Sequence, residues 1–191
     1  LDGGRFNKIA QPEADELLIT GKGANGQCRL LLSASASLPL IYFTSKNKPS
    51  PMTAPNFCML LRKHIGSARV SDIRQPGMDR VVMFELEHLN ELGDPCKKVL
   101  IMELMGKHSN IILLDRTSNK IIEAIKHVGF PQNSYRTILP GSTYIAPPKT
   151  DAVNPFTIGD EALFALLHKE ELSPKNLQKC FQGLGRDTAQ E

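Results

Sequence analysis

The chain has 191 residues, 41% hydrophobic and 23% charged, with 13 prolines, 14 glycines and no tryptophan. That length suits one medium domain, or one domain plus part of a second, and the composition is that of a globular chain with a real core, which excludes wholesale disorder. A formal charge of +3 permits nucleic-acid contact without requiring it, and neither a secretory leader nor a run of the roughly 20 apolar residues needed to span a bilayer is visible.

The first third reads as a meander of strands at 5–9, 15–20, 27–33 and 38–44, with a turn rich in glycine and asparagine at 21–26. Prolines 49 to 55 break the sheet. From 54 to 65 the apolar residues Phe57, Leu60, Leu61 and Ile65 recur at helical steps, with Gly66 as the stop. Strands follow at 68–73, 80–87, 98–105, 110–115 and 121–127. The stretch 131–155 reads as a long, proline-marked loop containing Arg136, Pro140-Gly141 and Pro147-Pro148, and a loop of that length is usually functional or a linker. Helical spacing returns at 158–168, and Ser173-Pro174 is an N-cap followed by proline at the first helical position. Beyond it, LQKCFQGLGRDTA at 177–189 runs a helix into Gly183 and Gly185. Two readings are open for those glycines: a C-cap with a loop, or the hairpin of a helix-hairpin-helix element that brings backbone N–H groups to a phosphate.

Cys28, Cys58, Cys96 and Cys180 are irregularly spaced with no C-x-x-C pair, so they suggest neither a zinc site nor a redox dithiol. Each reads as a small buried hydrophobe in a reducing, intracellular compartment. Glu85, Glu87, Glu91, Asp94 and Glu103 supply carboxylates, read as a solvated strand face, and the histidines at 88, 108 and 127 lack metal-ligand spacing. No phosphate-binding Walker loop and no nucleophile elbow is present, so no catalytic residue, cofactor or metal is assigned.

The densest polar signal is ELMGKHSNIILLD at 103–115, which sets Gly106, Lys107, His108 and Asn110 in one turn between two apolar strands. These residues either cap and solvate the bend or present hydrogen-bonding groups to a ligand. With GGRFNKIAQP at 3–12, LLLSA at 30–34, FCMLLRKHI at 57–65, GMDR at 77–80, NELGD at 90–94 and NSYRTILPG at 133–141, this segment resembles the NFACT-N domain of the RqcH and NEMF family, which includes proteins called fibronectin-binding protein A. The matching stretches fall in order over nearly the whole chain.

The resemblance implies an α+β fold of mostly antiparallel β-sheets or a sandwich with few helices, similar to the N-terminal domain of the formamidopyrimidine-DNA glycosylases. It implies an NFACT-N domain over 1–155, lacking its opening helix, and the truncated start of a helix-hairpin-helix region over 156–191. The glycosylases use an N-terminal proline amine; the residue here is Leu1, so no lyase activity is carried over. The family's coiled-coil arm and NFACT-R domain are not found in these residues.

In function the resemblance implies a cytoplasmic, ribosome-associated quality-control factor. Such proteins bind large ribosomal subunits obstructed by peptidyl-tRNA and recruit alanyl-tRNA for untemplated alanine tailing, the peptide chemistry staying with the ribosome. Asp79 and Arg80, which by themselves read as turn-and-edge charges, become the tRNA-binding pair: a carboxylate that accepts from base-edge N–H groups beside a guanidinium that stacks on a base or binds phosphate. Arg5, Arg62, Lys63, Lys107, His108, Asn110, Arg136, Gly183 and Gly185 are candidate supporting nucleic-acid contacts, although cations at 62–64 also suit a helix C-terminus. Two rival readings are a fibronectin-binding surface adhesin and a DNA-binding glycosylase-like protein. No membrane partner is implied.

Overall fold

Alternating apolar residues and glycine-bearing turns produce nine strands in the order in which the sequence presents them. In the computed structural model, which describes residues 1–169 and 171–191, these are β1 (Arg5–Glu13), β2 (Glu16–Gly23), β3 (Gly26–Ser33), β4 (Leu40–Phe43), β5 (Arg69–Arg74), β6 (Val81–Leu89), β7 (Pro95–Glu103), β8 (Asn110–Asp115) and β9 (Lys120–Ala124). The helices are α1 (Asn56–Ile65), α2 (Asp160–Lys169), α3 (Pro174–Cys180) and α4 (Arg186–Gln190). This is a mixed α+β fold dominated by one large antiparallel sheet with few short helices. Two compact units divide the chain, Leu1–Arg74 with Arg80–Ile145, and Gln75–Asp79 with Ala146–Glu191.

In the first unit the strand order is β4-β3-β2-β1-β5-β6-β7-β8-β9, a single sheet where the sequence left open several sheets or a sandwich. It consists of two meanders joined at a narrow seam. There β1 meets β5 at Arg5 opposite Arg69, supported by bonds from Gly3 N–H to the Val70 carbonyl (2.9 Å) and from Val70 N–H to the Gly4 carbonyl (2.8 Å). A Cβ at Gly4 would lie 2.5 Å from the Lys22 carbonyl oxygen of β2, so the chain enters β1 alongside β2 only with a residue that has no side chain.

The β6–β9 half is covered on both faces, which explains the unbroken apolar runs of β7 and β8. Leu100, Met102, Ile111 and Leu113 face α1 and join Phe57, Leu61 and Ile65 in the main core. Val99, Ile101, Ile112 and Leu114 point the other way, into a second core closed by Ile138 and Tyr144. The period-2 alternation of a strand thus supplies two cores from one sequence. Ile138 and Tyr144 belong to the stretch read from sequence as an irregular loop. Its first half is a roof held by backbone bonds, among them Ile121 N–H to the Ser142 carbonyl (2.8 Å) and Ile138 N–H to the Val128 carbonyl (2.7 Å).

Under that roof lies a buried ion pair. Glu103, the last residue of β7, is 0% exposed and Arg136 is 6% exposed. The Arg136 guanidinium grips both carboxylate oxygens, with Nη1 donating to Oε1 at 2.8 Å and Nη2 to Oε2, while Nη1 also donates to the Ile145 carbonyl (2.8 Å). The Tyr144 hydroxyl donates to Glu103 Oε1 at 3.0 Å. Burial alone would lower the Arg136 pKa, but the hydrogen bonds and charge of Glu103 outweigh it and raise the pKa; burial and the same carboxylate push Tyr144 far upward. The expectation that Glu103 belongs to a solvated strand face is therefore corrected: two side chains from outside its own strand, Arg136 and Tyr144, engage it in the interior.

The cysteines depart from expectation as well. Cys58 is buried in the main core, with its thiol pKa raised by that burial, but Cys28, Cys96 and Cys180 are half-exposed. All four are free thiols.

In the second unit Ser173 caps α3 by accepting from Asn176 N–H (3.3 Å), as its sequence indicates. Val153 and Phe181 form a parallel bridge, and α3 connects through Gly183 and Gly185 to the short α4.

Removing one partner of a buried, fully hydrogen-bonded pair strands the other charge without solvent. Arg136→Met is therefore expected to lower unfolding free energy by roughly 3–5 kcal/mol, read from urea denaturation followed by circular dichroism. A loss below about 1 kcal/mol, the range of exposed ion pairs, would refute the interior clamp.

Candidate nucleic-acid interface

Asp79 and Arg80 sit where a tight turn enters β6. The turn forms because Pro76 presets its backbone and Gly77 takes a left-handed conformation (φ 56°), closed by a bond from Asp79 N–H to the Pro76 carbonyl (3.1 Å). Gln75 Nε2 donates to the Asp79 carbonyl at 2.8 Å and fixes the turn further. The Asp79 carboxylate is half-exposed and lies 3.9 Å from the exposed Lys149 ammonium, a long surface contact of small energetic weight. Arg80 is exposed. Its carbonyl accepts from Leu104 N–H (2.8 Å), which anchors the backbone, while among the described residues its guanidinium has no hydrogen-bond or ion-pair partner. The two residues are consecutive in sequence and fall in different compact units: Asp79 offers an acceptor in the second, and Arg80 a fork of donors in the first.

Gly183 belongs to the same compact unit as Asp79. It has φ 80°, and a Cβ built there would lie 2.4 Å from the Met78 methyl carbon, so Met78 seats against a bare glycine one residue ahead of Asp79. Gly185, with φ −75°, caps α4 and has open space around it. The two glycines therefore differ in role: one receives a neighbouring side chain, and the other starts a helix.

The turn between β7 and β8 gathers a second group of candidates around a cavity of about 200 Å³ bordered by Lys107, His108, Asn110, Lys126, His127 and Arg136. A 3-10 turn over Gly106–His108, with Gly106 at φ 54°, lifts Lys107 and His108 into solvent. Asn110 does the opposite. It is buried, its amide donates to the Lys126 carbonyl (2.8 Å), and its side-chain oxygen accepts from Ile111 N–H (2.9 Å) and Lys126 N–H (3.1 Å). Ser109, also buried, accepts from Met105 N–H at 2.8 Å. Lys126 donates to the Ala34 carbonyl, and His127 is bonded to Glu123. With Arg136 clamped on Glu103, the basic side chains at this rim that have no partner among the described residues are Lys107 and His108.

Arg5, Arg62 and Lys63 lie elsewhere in the first unit. Arg5 reaches the Ser67 carbonyl (3.3 Å), Arg62 Nε donates to the Ile9 carbonyl (2.8 Å), and Lys63 stands 4.0 Å from Glu91. The candidates thus do not form one cluster. Asp79 and Arg80 are consecutive, Lys107 and His108 line a separate rim, and Arg136 and Asn110 are interior struts whose side chains are spent within the protein. Lys149 was not singled out from sequence, because 70 residues separate it from Asp79 and no local pattern links them. Among the described residues no group of three or more histidine, cysteine or acidic side chains is placed to hold a metal ion, and no helix is long and apolar enough to cross a membrane.

Comparison with known proteins connects these features. Residues 1–191 match the family described as NFACT N-terminal and middle domains. The Rqc2 homolog RqcH of Streptococcus suis is 51% identical over 191 residues, covering 100% of this chain and 35% of its own, so the chain spans about a third of that relative's length. Among solved structures, the N-terminal part of the fibronectin/fibrinogen-binding protein of Streptococcus suis superposes with a TM-score of 0.93 at 51% identity, covering 99% of this chain and 71% of that one. The N-terminal domain of fibronectin-binding protein PavA from Streptococcus pneumoniae gives the same TM-score, identity and coverage. With its hairpin, turn and two-faced sheet all accounted for within a match that runs from end to end, this chain belongs to the NFACT N-terminal and middle domain family.

Proposed function

We propose that this chain is the tRNA-binding N-terminal part of a ribosome quality-control factor. The whole protein would bind large ribosomal subunits obstructed by peptidyl-tRNA and recruit alanyl-tRNA for untemplated C-terminal alanine tailing, with peptide-bond formation left to the ribosome. Supporting this reading are the family membership and the Rqc2 homolog among the relatives. The observation that carries it locally is the exposed Arg80 guanidinium, without a partner among the described residues, and the half-exposed carboxylate of Asp79, the residue before it in sequence.

The division of labour follows from chemistry. Asp79 accepts hydrogen bonds from the edge of an unstacked base, and Arg80 stacks on it or engages the adjoining phosphate. Lys107 and His108 supply phosphate contacts that add affinity without reading sequence. The tail, taken as the start of a helix-hairpin-helix region from residue 156 on, contributes backbone N–H groups near Gly183 and Gly185, and the NFACT-N domain over 1–155 is assigned the glycosylase-like architecture without its chemistry. This chain acts by binding, in the cytoplasm.

A second reading is favoured by the names of two structural relatives, which are called fibronectin-binding or fibronectin/fibrinogen-binding proteins. Under it the chain is part of a surface adhesin, detectable on intact cells and retained on immobilised fibronectin.

In the full-length protein, Asp79→Ala and Arg80→Ala are each expected to abolish alanine tailing while changing stability by no more than about 0.5 kcal/mol, the range of surface substitutions. Tailing at the wild-type level in both variants would refute the assignment. The 191-residue protein by itself is expected to bind single-stranded RNA weakly, with log affinity falling by about 0.7 per neutralised phosphate for each tenfold rise in salt. Tight binding that ignores salt would point to an apolar protein partner instead.

A further inference from the structure

Where α1 ends over the inner face of the sheet, a cavity of about 500 Å³ opens between Lys63 and His64 of α1, His88 of β6 and Lys98 of β7. The sequence explains how the cluster forms. Lys98 continues the inward row of Leu100 and Met102, and His88 continues that of Phe84 and Leu86, so both point to the face that α1 covers, at the level where the apolar residues run out.

Lys98 is the unusual member. It is only 7% exposed, and its ammonium is hydrogen-bonded to the imidazole Nε2 of His88 at 2.8 Å. His88 Nδ1 lies 3.1 Å from the Leu89 carbonyl, which can only accept, so Nδ1 carries the proton and Nε2 takes the hydrogen bond from Lys98. Lys98 is thus bonded to a neutral ring, and among the described residues no carboxylate lies within 4.0 Å of it. The neighbouring carboxylate is Asp115, its cross-strand partner, and that group is already engaged by Ser118 N–H (2.9 Å) and the Ser118 hydroxyl (2.6 Å). A buried ammonium is costly unless a counter-charge meets it. Here the ammonium has no carboxylate in contact and is offset at longer range by Asp115; it faces an open cavity, and among the described residues Glu91, an exposed rim residue 4.0 Å from Lys63, is the only acid bordering that cavity.

We propose that the Lys63, His64, His88 and Lys98 cavity is a phosphate-binding site. Two ammonium groups and the His64 imidazole border it, and His88 adds a further N–H donor once a proton is taken up on Nε2, a set suited to the several oxygens of a tetrahedral dianion. The phosphate is free or carried on a nucleic-acid backbone. The proposal does not depend on tRNA recognition through Asp79 and Arg80, because an inorganic ion alone tests it.

The site is also a proton-coupled one. Burial lowers the pKa of both histidines, and the charges of Lys98 on each, and of Lys63 and His88 on His64, lower them further, against a raising effect from Glu91 on His64 and from the Leu89 carbonyl on His88. On its other side His88 borders a groove that carries Arg5, Arg69, Glu87 and Lys97. A bound dianion supplies the missing negative charge and draws protons onto the imidazoles, so affinity rises as pH falls.

The test follows the histidine ring signals of the 191-residue protein by NMR during titration with inorganic phosphate and, separately, with a short single-stranded RNA at matched phosphate-group concentration. His64 and His88 are expected to shift together and saturably while His168, on α2, stays in place. Lys98→Met should weaken binding by roughly tenfold or more, and Lys63→Gln, at an exposed helical position that leaves folding intact, by severalfold. With sulfate, doubly charged throughout, affinity should rise between pH 8 and pH 6 by up to about tenfold per pH unit for each proton taken up. Saturation at lower RNA than phosphate concentration identifies a nucleic-acid backbone as the source, and equal or phosphate-only saturation identifies the free ion. Unmoved His64 and His88 signals with both probes, or wild-type affinity in both variants, would overturn the site.

Discussion

The Glu103 carboxylate organises the half of the sheet that carries Lys107, His108, Asn110 and Arg136. It ends β7, immediately before the turn that displays Lys107 and His108, and it is held by Arg136 and Tyr144, 33 and 41 positions later in the chain. Without this clamp the stretch 136–145 has only a few backbone bonds and the side chains of Ile138 and Tyr144 to keep it on the sheet, and the second core beneath it opens to water. A charge buried at this depth is tolerated because every oxygen is met. The bidentate geometry also fixes direction, which an apolar contact would not do.

Around that clamp the hairpin is built from polar groups used inward. Ser109 and Asn110 spend their hydrogen-bonding capacity on Met105, Ile111 and Lys126, so the turn has one conformation, and Lys107 and His108 are displayed from a rigid base. Residues in one short motif thus divide into those that make the bend and those that the bend presents. Phosphate recognition by a displayed lysine gains from this rigidity, because little backbone freedom is lost on binding.

Much of this was legible from the chain itself. Strand periodicity, the glycine-rich turns, the helical spacing of Phe57, Leu61 and Ile65 and the cap at Ser173 are local signals, and each element appears where its signal lies. What stayed hidden depends on partners distant in sequence. Glu103 looks like any alternate charged residue of a strand until Arg136 folds over it, and Arg136 looks like a surface cation in a proline-marked loop until Glu103 is found beneath it. Cys28, Cys96 and Cys180 sit within or beside apolar runs and are nonetheless half-exposed, because which face of a strand is covered is decided by the elements packed on it. The turn at Asp79 and Arg80 could be placed from Pro76 and Gly77, whereas the proximity of Lys149 to Asp79, and the seating of Met78 on Gly183, could not.

The two buried cations of the first unit, Arg136 and Lys98, stand in contrast. Arg136 is met by a carboxylate, a carbonyl and a neighbouring hydroxyl on the same carboxylate, so its charge is cancelled inside the protein and its field does not reach solvent. Lys98 is buried to a similar depth, but its hydrogen-bond partner is a neutral imidazole, and its cross-strand neighbour Asp115 acts on it by charge alone while hydrogen-bonding to Ser118. The same fold therefore holds one cation as a strut and leaves another electrostatically unfinished. Since low-dielectric walls strengthen the field of a charge, the Lys98 cavity is a better candidate for holding an anion than an exposed lysine such as Lys107. Burial by itself does not separate a structural cation from a binding one; the separation comes from whether the counter-charge is already part of the chain.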